Sequence, residues 1–290
     1  MRLQLAAGML ALALPCAAQP RVVNAKITEQ PLAGSLDAAV RQIADATGSQ
    51  AAWIAWAAPV VDGRRDMCCF NGDWDAGRIT GGRCRLEPGY STTMMNRDAS
   101  RGVRLELPEA FFVFVRVENR QVERVRMFSE DCELEAGATP VTFLTGVPAP
   151  ASVAFLTAVA EQAGVGDRAR KGAVSALAQH GAPEAVTSLV RLARRAPEAE
   201  LRGDALFWLS QRAGDQAAAA ITDAIEHDPE TQVKKKAVFA LSQLPADEGV
   251  PKLIALARSN RNPAVRKQAM FWLGQSKDPR ALAFFEEVLK

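Results

Sequence analysis

Two histidines, His180 and His227, and one tyrosine, Tyr90, are nearly all that this chain of 290 residues has for proton transfer near neutral pH. A chain this poor in imidazole has few routes to acid–base or metal chemistry. The cysteines are the other reactive set. Cys16 falls in the opening segment, and Cys68, Cys69, Cys84 and Cys132 remain beyond it. In an oxidising compartment an even number reads as two disulfides. A bridge between the neighbours Cys68 and Cys69 would be strained, so one of them is expected to pair with Cys84 and the other with Cys132. The order of pairing stays open. A four-thiolate metal site is the alternative, but the spacing lacks the C-x-x-C pairs usual for zinc, and no metal is expected. Asp62, Asp66, Asp73 and Asp75 cluster around the cysteine pair without the spacing of a calcium-binding EF-hand, and read as a solvated loop. No G-x-S-x-G, H-E-x-x-H, phosphate-binding or dinucleotide-binding pattern occurs. The expectation is therefore no catalytic residue and no cofactor.

The opening residues set the compartment. Residues 1–18 carry Arg2, an apolar stretch from Leu3 to Leu14 and small residues at Cys16-Ala17-Ala18, the signature of a secretory signal peptide. The stretch is too short to span a bilayer, and no later segment is long and apolar enough to do so. A periplasmic or secreted protein without a membrane span is expected. With 35 basic and 33 acidic residues the net charge is +2, which argues against nucleic-acid binding by bulk charge.

The chain then divides into two kinds of pattern. Residues 20–147 read as a small α+β domain, mainly antiparallel and stapled by cysteines. Val22–Ile27, Ala51–Ala57, Val103–Leu107 and Thr139–Phe143 read as strands, and Ser35–Ala46 as a helix capped by Ser35. Phe111–Val117 and Val122–Phe128 read as a hairpin. Residues 150–290 repeat with a period of 32, and 30 of the 53 alanines follow residue 150, as close helix stacking requires. The segments Ala173–Gln179, Ala205–Gln211, Ala237–Gln243 and Ala269–Gln275 align without gaps. Apolar spacing within each unit predicts two helices, with Asp228-Pro229 and Asn262-Pro263 as helix starts. Residues 150–163 read as one extra helix that caps the first unit.

The pairs Val233-Lys234 and Val265-Arg266, with the recurring Ala and Leu, resemble the HEAT repeat, in particular the short HEAT-like repeats also found in phycobilin lyases. The resemblance implies an all-α HEAT-like solenoid behind the α+β domain, and it fixes no activity. HEAT-like hydroxylases bind iron through His-Glu pairs; this chain has only Glu226-His227, in the reverse order. Two features depart from the repeat pattern. The seventh position of the first helix, usually polar, is Ser175, Phe207, Phe239 and Phe271. Helical geometry puts it opposite the buried face, so the three phenylalanines form a line. Either a partner docks there, or the N-terminal domain or a neighbouring helix covers it. Trp208 and Trp272 take the next position and read as core fillers. Gln179, Gln211, Gln243 and Gln275 follow one turn later. They either satisfy carbonyls at the helix end or form a polar ladder beside the aromatic line.

The first functional expectation is a non-catalytic scaffold in an extracytoplasmic compartment. It would bind a protein partner through Phe207, Phe239, Phe271, Gln211, Gln243 and Gln275. The alternative is an enzyme or enzyme accessory resembling the phycobilin lyases. A DNA-binding solenoid is disfavoured by the expected export and by the near-neutral charge.

Overall fold

The computed structural model describes residues 19–61, 67–68, 70–73, 78–81, 84–87, 109–212 and 214–289, with only the backbone of 70–73 and 78–81. The expected signal peptide, Cys69, Tyr90, Asp62, Asp66, Asp75 and the expected strand Val103–Leu107 lie outside these residues.

The N-terminal region is built on a five-stranded sheet in the order β2-β10-β3-β7-β8. Its strands are β2 (Ile27–Pro31), β3 (Ala52–Pro59), β7 (Ala110–Glu118), β8 (Gln121–Ser129) and β10 (Val141–Thr145). The β7–β8 hairpin forms where alternation predicts it. Its two-residue turn needs left-handed backbone at both positions, and Asn119 and Arg120 have φ of 51° and 61°. The expected strand Val22–Ile27 is instead two: β1 (Arg21–Val23) and β2, separated at Asn24 with φ of 60°. They join different sheets, since β1 pairs with β9 (Glu133–Glu135) and β2 with β10. The sheet is also mixed rather than mainly antiparallel, because β10 inserts between β2 and β3 and runs parallel to both. A backbone hairpin of β4 (Phe70–Asp73) and β5 (Arg78–Gly81) stands in the stretch expected to be loop.

Both sheet faces are buried. Side chains alternate along β3 and β7. Trp53, Phe112 and Phe114 point to one side, where Cys68, Cys84, Leu86, Cys132 and Leu134 complete a small core. There β9 pairs with β1 and with β6 (Cys84–Arg85). Ile54, Trp56, Val113, Val115 and Val125 point to the other side. That side packs on α1 (Leu36–Thr47), α2 (Ala149–Glu161) and α3 (Asp167–Gln179). Ser35 caps α1 as expected, accepting from the Ala38 amide at 3.2 Å. The Trp56 indole donates to Ser152 of α2 at 2.9 Å, so strand and helix share a buried hydrogen bond.

The apolar core on this second side continues into the helices without interruption. Four helix pairs follow α2. They are α3 with α4 (Pro183–Arg195), α5 (Ala199–Ser210) with α6 (Asp215–His227), α7 (Thr231–Ser242) with α8 (Ala246–Ser259), and α9 (Pro263–Gln275) with α10 (Pro279–Val288). Ala173, Ala205, Ala237 and Ala269 are fully buried, as helices in close approach require. The basic residue beside each buried Leu or Val has a definite task. Arg202 donates to the carbonyls of Ala196 and Pro197, Lys234 to Ile225 and Glu226, and Arg266 to Asn260 and Arg261. Each thereby closes the carbonyl end of the preceding helix, which has no intrahelical donors left.

Asp228 corrects one expectation. Asn262 does cap α9, accepting from Ala264, but Asp228 does not start α7. It is buried as the bidentate partner of Arg202, at 2.7 and 3.0 Å. A buried guanidinium needs a carboxylate more than a helix start needs a cap. Among the described residues no helix is long and apolar enough to cross a membrane.

Candidate partner-docking face

The line of phenylalanines exists, and it is longer than the three residues expected. Phe207 on α5 and Phe239 on α7 stack face to face, with centroids 6.0 Å apart and planes 6° apart. Phe239 meets Trp272 of α9 at 4.8 Å, and Trp272 meets Phe271 edge-on at 4.9 Å. Trp208 closes the other end, edge-on to Phe207 at 5.1 Å. The two tryptophans pack against the core, as expected, and also join the line. They are half-buried rungs of a five-ring ladder across three repeats. Each ring pair stabilises by about 1 kcal/mol beyond its burial, so the ladder is ordered without a ligand. Exposure grows along it. Phe207 and Phe239 are half-buried, whereas Phe271 is 54% exposed. The Trp272 indole N–H has no hydrogen-bond partner among the described residues.

The glutamines behave differently from repeat to repeat. Gln179 is fully buried, Gln211 is half-buried, and Gln243 and Gln275 are exposed. In the middle repeats the serine just before the glutamine serves the helix end. Ser210 donates to the Phe207 carbonyl at 2.6 Å and Ser242 to the Phe239 carbonyl at 2.7 Å. The Gln211 and Gln243 amides then donate to those serine oxygens, at 3.3 and 3.1 Å. Gln243 keeps its amide at the surface one turn beyond its phenylalanine, and Gln275 lies exposed at the matching place.

In repeat one the sheet meets the first helix beside Ser175, which is itself half-buried. Strand β8 lies directly against α3. A Cβ on Gly172 would sit 2.1 Å from the Val125 carbonyl oxygen, so only glycine allows this approach. Beyond β3 the chain clasps the end of α3. Val60 bridges His180, Val61 N–H donates to Gln179 O at 2.8 Å, and Gly181 N–H donates to Pro59 O at 2.7 Å. The buried Arg212 adds donors to the carbonyls of Ala178 and His180, at 3.0 and 3.1 Å. His180 stands at the C-terminal end of its helix. It is fully buried, edge-on to Phe111, and its Nδ1 accepts from Ala182 N–H at 3.2 Å. Burial, helped by the charge of Arg212, pulls its pKa from 6.5 to about 4, so it is neutral at pH 7. His227 is exposed and pairs with Asp223 at 3.0 Å.

The cysteines are structural here. Cys68 and Cys132 form a disulfide, closing a separation of 64 residues, and Cys84 is disulfide-bonded as well. Loop-closure entropy gives the first bridge about 4 kcal/mol. Cys68, Asp131 and Cys132 hold their ligand atoms within 4.8 Å of one another, but both sulfurs are spent in the bridge.

What the spacing missed is the clasp between β3 and the α3–α4 turn. The signal was present: Ser175 stands where the other repeats carry phenylalanine, and Gly172 precedes it by three residues.

Comparison with known proteins agrees with the fold. Residues 218–290 match the family model of HEAT repeats. No curated protein matches the chain. Human deoxyhypusine hydroxylase in complex with glycerol is 20% identical over 47% of this chain and 43% of its own, with a TM-score of 0.36. The complex of CpcE and CpcF of phycocyanin lyase from Nostoc sp. PCC7120 is 20% identical over 46% of this chain and 56% of its own, with a TM-score of 0.31. The chain thus spans less than two thirds of either. Residues 218–290 are thus HEAT repeats by the matching model, and the gapless period of 32 with its paired helices carries the same HEAT-like solenoid architecture back to α3.

Proposed function

We propose that this chain is a non-catalytic protein-interaction scaffold of an oxidising, extracytoplasmic compartment, and that its partner docks on the aromatic face of α5, α7 and α9. The ladder carries this reading. Five rings aligned across three repeats, ending in a phenylalanine more than half exposed, form an apolar strip that water solvates poorly. Aromatic side chains of this kind supply most of the energy at protein interfaces. The Cys68–Cys132 bridge supports the compartment, since structural disulfides persist where thiols are not kept reduced.

The test is capture from an exported fraction by the tagged chain and by the variant Phe207→Ala/Phe239→Ala/Phe271→Ala. The expected result is loss of the captured protein in the variant while circular dichroism still reports a folded solenoid. Equal capture by both chains would contradict the reading.

A further inference from the structure

We infer that the last repeat, α9 with α10, is the contact face of a homodimer, in which two copies of this chain pack their solenoid ends together about a two-fold axis. This goes beyond the scaffold reading and does not rest on it.

The apolar surface of the molecule is gathered in one place. Five large apolar side chains are exposed among the described residues, and all belong to this repeat: Met270, Phe271, Leu282, Val288 and Leu289. Exposed apolar residues scattered singly are ordinary; a group at one end of a stack is not. The period of 32 shows what three of these positions do in the other repeats. Val174, Leu206 and Val238 are fully buried, whereas their fourth copy, Met270, is 37% exposed. Ala218 and Val250 are buried, and the next copy, Leu282, is 63% exposed. Ala193, Ile225 and Ala257 are buried, and Leu289 is 83% exposed. The repeat itself is well packed, because Ala269, Leu273 and Ala281 are as buried as their earlier copies. The difference is that each earlier repeat has another stacked behind it. Met270, Leu282 and Leu289 therefore hold a surface of the kind that repeats bury against one another. A terminal repeat ordinarily turns a polar face to water instead.

Such a surface fits a helix pair that has an apolar side still open. The other end of this solenoid offers none. There α2 packs on α3 and α4, with Val153, Phe155, Leu156 and Val159 buried, and β8 lies against α3. Head-to-tail stacking, which would grow into filaments, is thereby blocked. The helix pair that is open is the same end of a second copy. Two like faces make an isologous contact, which closes at two chains. The face is only two helices wide, smaller than a standard interface, so the dimer is expected to part on dilution.

The test is the mass of the purified full chain in solution, by sedimentation equilibrium from about 1 to about 200 μM. The expected result is twice the chain mass at the upper end, falling toward the chain mass on dilution. Leu282→Glu/Leu289→Glu should hold the chain as a monomer throughout, because it sets like charges in the contact. Its circular dichroism should match the parent, since both side chains are exposed in a single copy. Phe207→Ala, two repeats away, should leave the dimer intact. A photoactivatable p-benzoylphenylalanine at Leu282 locates the contact independently and should yield an adduct of twice the chain mass. A chain that stays monomeric at the highest concentration, oligomers that keep growing beyond two, or a dimer that survives Leu282→Glu/Leu289→Glu would overturn the inference. In the first case the end face belongs to a different protein, and the scaffold reading is untouched as long as the triple phenylalanine variant still loses capture.

Discussion

The first helices of the repeats present the same face four times, and the chain treats it in two ways. In repeat one that face is filled from within: β8 lies on Gly172, and the extension of β3 clasps His180 and Gly181. In repeats two to four it carries aromatic rings that no described residue covers fully, from half-buried Phe207 to exposed Phe271. The difference lies in a few side chains. In repeat one the positions are Ser175 and Ala176, with Gly172 one turn before under β8; in the later repeats they are Phe207 with Trp208, Phe239 with Ala240, and Phe271 with Trp272. On the proposal made above, the helix face that meets the sheet in repeat one meets a partner in repeats two to four.

The largest effect is expected from spoiling the covered copy. Gly172→Leu drives a side chain into the β8 backbone and should cost more than about 3 kcal/mol, seen as a lowered urea midpoint. An unchanged midpoint would mean that sheet and solenoid are not closely docked. Acid should loosen the same junction. His180 is neutral when folded, with its pKa depressed to about 4, whereas the unfolded chain titrates near 6.5. The unfolded state therefore binds more protons between these values. Stability is complete above pH 6.5 and declines as pH falls, by about 3 kcal/mol at pH 4. His180→Phe should flatten that decline in urea titrations; an equally steep one would place the acid sensitivity elsewhere. The open copy should respond the other way round. Phe271→Ala is expected to cost under about 1 kcal/mol of stability, because the ring is 54% exposed, yet to remove most of the captured partner. A large stability loss with capture intact would make Phe271 a packing residue. Smallest of all, Gln275→Ala should leave stability within about 0.5 kcal/mol.

The repeats could be read from the chain because helix packing is local and periodic. Ala173 to Ala269 and Leu177 to Leu273 recur every 32 residues, and each is buried as the period requires. The aromatic line was legible for the same reason, since helical geometry fixes which positions share a face. What could not be read depends on partners distant in sequence. Nothing near Val141 indicates that β10 inserts between β2 and β3, because strand order follows from contacts more than 80 residues apart. Asp228 resembles a cap because it precedes proline, and its pairing with Arg202 emerges only when helices stack. Trp208 and Trp272 pack against the core as their position, held by Ala176 and Ala240 in the other repeats, implies; that they also meet Phe207 and Phe239 depends on the neighbouring rings.

The central claim is that the open copy of this face receives a partner and the helices behind it do not. Site-specific crosslinking tests it most directly. A photoactivatable p-benzoylphenylalanine replaces Phe271 in one chain and Glu226, on the second helix of its repeat, in another. After irradiation in cells that produce the chain, a discrete crosslinked species is expected from position 271 alone, and it should disappear when Phe239→Ala is added. No adduct at 271, or the same adduct from both positions, would contradict the account.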